Sequence, residues 1–87
     1  MIDVKTAVQA AVRYARELYG ESSDLTLMVE EVEPSADERY WLITLSLTDR
    51  SNPFATLARA NQGRSYKIFE VDAETSAVRS MKIRSVA

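Results

Sequence analysis

Eighty-seven residues without a single cysteine or histidine exclude disulfide-stapled scaffolds, zinc ribbons, thiol nucleophiles and every catalytic arrangement that needs an imidazole. Hydrophobic residues at 46%, charged residues at 28% and only 2 Gly and 2 Pro describe one folded domain over 1–87, not a disordered or low-complexity chain. Eleven Lys and Arg against thirteen Asp and Glu leave a net charge of −2, which argues against a general binder of polyanions.

The first apolar pattern has the period of a helix. Val4, Val8, Ala11, Ala15 and Leu18 recur at spacings of four and three, and Ala7, Val12 and Tyr19 widen the stripe. Asp3 is placed to cap the first turn with its carboxylate, and Gly20 follows the last periodic residue, where a left-handed conformation ends a helix. The small side chains of Ala7, Ala11 and Ala15 predict close approach to a sheet.

From Asp24 the period becomes two. Leu25, Leu27 and Val29 alternate with Thr26, Met28 and Glu30, and then Val32 falls out of phase. One extra residue at Glu30–Glu31 returns Val32 to the inner face, which predicts a β-bulge there. Pro34 to Glu38 reads as a polar turn. Arg39 to Thr48 is the clearest strand, with Trp41, Ile43, Leu45 and Leu47 on one face and Tyr40, Leu42, Thr44 and Ser46 on the other.

The stretch 49–64 is too long for a tight hairpin. Asn52-Pro53, followed by Phe54 and Leu57 three apart, predicts one short helix near 53–60, with a flexible loop as the alternative. A third strand covers Ser65 to Val71, with Phe69 and Val71 on one face and Tyr66 and Ile68 on the other. Asp72 to Ser76 reads as a hairpin turn in which Asp72 bonds the amides ahead of it and Ser76 takes a left-handed conformation. A fourth strand runs from Ala77 to about Ser85, with Met81 and Ile83 pointing inward. The expected fold is α+β: one N-terminal helix packed on a four-stranded antiparallel meander.

The run Tyr66-Lys67-Ile68-Phe69-Glu70-Val71-Asp72-Ala73-Glu74-Thr75-Ser76-Ala77-Val78 resembles the closing hairpin of PepSY-type domains. In that family an aromatic-rich strand ends in Val-Asp before a turn closed by Thr-Gly and a last strand. Ser76 stands here in place of the glycine. The resemblance covers about a fifth of the chain, and it also fits the broader cystatin-like layout of a helix before a sheet. It implies a non-catalytic domain that inhibits proteases or binds partners, commonly outside the cytoplasm.

Three surfaces are candidates for function. The open face of the sheet is the main one, because Met28, Tyr40, Leu42, Tyr66 and Ile68 fall on the side away from the helix, where a half-exposed sheet is normally polar. That points to a protein partner or a second copy of the chain, the alternatives being cover by the 52–62 excursion or plain cross-strand stabilisation. The second is basic: Arg64, Lys67, Arg79, Lys82 and Arg84 suggest a phosphate or nucleic-acid surface, against the simpler reading of a charged outer strand. The third is acidic. Residues 17–38 hold eight carboxylates and no Lys or Arg, either to dock a basic partner or to keep an edge strand soluble. In a meander, the acidic first strand and the basic fourth strand become opposite sheet edges, which invites strand addition.

Enzymatic chemistry has little to work with. Gly20 and Gly63 are the only glycines, so no phosphate-cradling loop can be written, and Ser22 and Ser23 have no base nearby. No cofactor and no metal site is expected. Charges at Asp3, Lys5, Arg13, Arg16 and Glu17 interrupt any signal-peptide core, and no apolar run approaches the ~18 residues of a membrane span. The expectation is a non-catalytic cytoplasmic protein of the inhibitor, immunity or adaptor type, acting on a partner or as a homodimer.

Overall fold

The computed structural model describes residues 1–20, 25–49 and 64–84. The short helix expected near 53–60 lies outside the described residues. Helix α1 spans Val4–Tyr19 and is followed by four strands: β1 Leu25–Pro34, β2 Tyr40–Asp49, β3 Arg64–Asp72 and β4 Val78–Ile83. The sheet order is β1-β2-β3-β4 and every neighbouring pair is antiparallel. This is the expected α+β meander.

Both ends of α1 are fixed as their residue types require. The Asp3 carboxylate accepts the Thr6 N–H at 2.8 Å, one of the donors a helix start leaves without an intrahelical partner. Gly20 leaves the helix at φ 85° while its N–H donates to the Arg16 carbonyl. Only a residue without Cβ takes that backbone conformation without strain. Between these ends Ala7, Ala11 and Ala15 are fully buried, four residues apart on one face. They lie against Ile43, Leu45, Phe69 and Val71 of β2 and β3, with the Tyr14 ring edge-on to Phe69 at 6.2 Å. Val4, Leu18 and Tyr19 belong to the same stripe by period but are 42, 53 and 45% exposed. They sit at the helix ends, outside the contact that the alanines make.

Residue 2 straps the start of the chain to the sheet. The Ile2 N–H donates to the Ala73 carbonyl at 2.6 Å, and Trp41 Nε1–H donates to the Ile2 carbonyl at 3.1 Å. The indole is half-buried against the core, so this bond satisfies its one donor.

The register of the sheet explains both hairpins and two irregularities. Between β1 and β2 the pairing shifts between Val29 and Glu31, which is the predicted bulge. Between β3 and β4, Glu70 faces Ser80 while Val71 faces Val78, so Arg79 is a second extra residue and makes a second bulge. The β1–β2 turn is tied by Ser35 and Asp37: the Ser35 hydroxyl donates to Asp37 at 2.7 Å, and the Asp37 carboxylate accepts the Arg39 N–H. Glu38 takes φ 59° in that turn. In the β3–β4 turn the Asp72 carboxylate accepts the N–H groups of Glu74 and Thr75, and Ser76 takes φ 64° as expected.

One inward assignment needs correction. Ile83 shares the face of Met81 and Phe69, but it is 78% exposed. Its cross-strand partner is Lys67, and the buried core residues lie on α1, β1, β2 and β3, with none on this edge strand. Met81 does pack against the core. No helix among the described residues is long and apolar enough to cross a membrane.

Candidate functional site

Antiparallel partners point to the same side of a sheet, so the register fixes which side chains share the face away from α1. Met28, Ser46 and Tyr66 form one row across the strands; Glu31, Thr44, Ile68 and Lys82 form the next. Glu33, Leu42, Glu70 and Ser80 make a third row, and Tyr40 faces Asp72 in the last. The five residues singled out from the sequence, Met28, Tyr40, Leu42, Tyr66 and Ile68, therefore all lie on this face. Met28 is the most open at 53% exposure, and the other four are half-buried. Leu42 and Ile68 are diagonal neighbours at the middle of the face.

The face is chequered, not a continuous apolar sheet, because charged side chains occupy the squares between. Arg84 reaches from the end of β4 across the sheet to Glu31 of β1, with Nη1 to Oε2 at 2.5 Å, and its guanidinium also lies 3.4 Å from the Thr44 hydroxyl. The Ser46 hydroxyl donates to the Glu30 carboxylate at 2.8 Å. Thr44 and Ser46 are buried beneath these groups, and their hydroxyls have partners. The Ser80 hydroxyl donates to Glu70, and Lys82 lies 3.7 Å from the same carboxylate. Those contacts, the Ser80 bond first and then the Lys82 and Arg79 charges, hold the Glu70 carboxyl below its usual range.

Tyr40 is also positioned from the β4 edge. Arg79 donates to the Tyr40 hydroxyl at 2.6 Å, and its guanidinium carbon sits 5.0 Å from the ring centroid. A cation over the ring and a bond to the hydroxyl fix both ends of the phenol. The bulge at Arg79 aims that side chain across the strands, so an irregularity in the edge strand orients an aromatic residue two strands away.

The five basic residues are not gathered into one surface. Lys82 and Arg84 are on the open face, whereas Lys67 pairs with Leu45 and Ile83 on the helix side. Arg79 is committed to Tyr40, Arg84 to Glu31 and Lys82 to Glu70. The side chain of Arg64 lies outside the described residues.

Sequence reasoning missed the Arg84–Glu31 and Arg79–Tyr40 pairs. Their members are separated by 53 and 39 positions, and only the strand order brings them together. In comparison with known proteins, the chain matches no family model, no curated protein and no solved structure.

Proposed function

We propose that this chain is a non-catalytic protein-binding module that docks a partner protein on the open sheet face, as a cytoplasmic inhibitor, immunity protein or adaptor. One observation carries the reading: Leu42 and Ile68 lie at the centre of a face flanked by Tyr40, Tyr66 and Met28, and no element among the described residues packs over them. A centre of aliphatic and aromatic groups within a polar surround is the anatomy of a protein interface. Burial of that centre contributes about 25 cal/mol per Å² of apolar area, while Glu33, Glu70 and Lys82 around it select orientation. The resemblance of the closing hairpin to PepSY-type domains agrees with a partner-binding role. The phosphate-binding alternative draws less support, because three of its cations already face Glu31, Glu70 and Tyr40.

The test uses Tyr40→Glu with Ile68→Glu in one protein. Both side chains lie on the face away from the core, so the variant is expected to keep its far-ultraviolet spectrum and cooperative melting. A partner captured by the parent protein, and confirmed by titration with the purified pair, is expected to lose at least tenfold in affinity for the variant. Equal affinity for both proteins removes the open face as the binding surface.

A further inference from the structure

The two edges of the sheet complement each other on both of their faces. β1 is one edge and β4 the other, and because neighbouring strands alternate in direction, β1 and β4 run opposite ways. On the helix side each edge leaves an aliphatic side chain in solvent: Val29 at 46% exposure on β1 and Ile83 at 78% on β4. On the open side β1 carries Glu30, Glu31 and Glu33, whereas β4 carries Lys82, whose side chain is 70% exposed, with Arg79 at its bulge.

We propose that a second copy of this chain adds to the sheet head to tail, the β4 edge of one molecule pairing antiparallel with the β1 edge of the next. Setting Ile83 opposite Val29 places Met81 opposite Val32 on the helix side. The same register puts Lys82 opposite Glu30 and Glu31 on the other side, because the β1 bulge presents both glutamates to a single partner residue. Apolar groups meet apolar groups, and Lys82, 70% exposed and held only at 3.7 Å by Glu70, gains Glu30 and Glu31 of the next molecule as further partners, beside the contacts those glutamates keep to Ser46 and Arg84. The symmetric arrangements are disfavoured by the same reckoning: β1 on β1 crowds Glu30, Glu31 and Glu33 of both copies along one seam, and β4 on β4 crowds Lys82 and Arg79 of both copies. The charges that guard each edge against its own kind thus admit the opposite edge. A head-to-tail contact is not closed by two copies, so assembly continues to a ring or an open filament. This contact uses the strand edges and leaves Tyr40 and Ile68 free, so it stands or falls apart from the open-face reading.

The cysteine-free chain allows a direct test. Val29→Cys and Ile83→Cys proteins are mixed in equal amounts at high concentration under mild oxidation, and the disulfide-linked products are read by mass spectrometry. Residues directly opposite across paired strands are close enough for the bond to form. The mixed dimer is expected to exceed either same-variant dimer by about tenfold, and one chain carrying both substitutions is expected to give a ladder of multimers. Statistical proportions of the three dimers, dominance of the Val29→Cys self-dimer, or no linked product each overturn the proposal.

Discussion

Ala7, Ala11 and Ala15 set how near the helix comes to the sheet, since none has a side chain beyond Cβ and all are fully buried. Close-packed interiors leave no room for growth at such a position. Ala11→Leu is expected to destabilise the fold by about 1–3 kcal/mol, read as a lower urea midpoint with unchanged slope. An unchanged midpoint would mean that the helix does not lie against β2 and β3 as described. The alanine spacing was legible in the sequence, as was the Asp3 cap. The exposure of Val4, Leu18 and Ile83 was not, because periodicity states which side a residue faces and not how far the covering element extends. The ion pair from Arg84 to Glu31 is a sharper case: neither residue carries a local sign of the other, and only the completed sheet order joins them.

At the level of elements, the turns and bulges follow from short-range chemistry. Ser76 holds φ 64°, where a Cβ costs roughly 1 kcal/mol that glycine does not incur. Ser76→Gly is expected to raise thermal stability, by up to about 1 kcal/mol after the greater freedom of glycine in the unfolded chain is counted. A lowered melting temperature would show that the serine contributes something the left-handed backbone does not explain. The bulge in β1 was visible because Val29 and Val32 are three apart yet share a face. Val78 and Met81 in β4 repeat that spacing and share a face, so the bulge at Arg79 carries the same signal in the sequence. Its effect, turning Arg79 onto Tyr40, depends on β2 and β3 lying in register and has no local trace.

For the whole molecule, the described residues place one helix on one face of a four-stranded sheet, and register alone characterises the other face. The sequence sorted Met28, Tyr40, Leu42, Tyr66 and Ile68 to that face by alternation within each strand. It gave no access to the rows, so the interleaving of Glu31, Glu33, Glu70 and Lys82 among them emerges only from the pairing. The folded state also has a defined response to acid. Asp3 accepts hydrogen bonds from Thr6, Asp37 from the Ser35 hydroxyl and Arg39 N–H, Asp72 from the Thr75 and Glu74 N–H groups, and Glu70 from Ser80. All four carboxyls are held below their ordinary values, so the folded state binds protons less readily than the unfolded one. Their stabilisation is full above the ordinary carboxylate range and is lost as pH falls through the folded values. With no histidine in the chain, the urea midpoint is expected to stay level from about pH 8 to 6 and to drop below about pH 4. A midpoint that holds steady into strong acid would contradict these contacts. The strap at residue 2 has a mechanical consequence as well. Tension applied at residue 1 loads the Met1–Glu74 ion pair and the Ile2–Ala73 and Trp41–Ile2 bonds before any strand pair carries force. A few isolated contacts let go at a lower load than a ladder that shares it, so the molecule yields in stages, releasing its amino-terminal segment while the strands still hold.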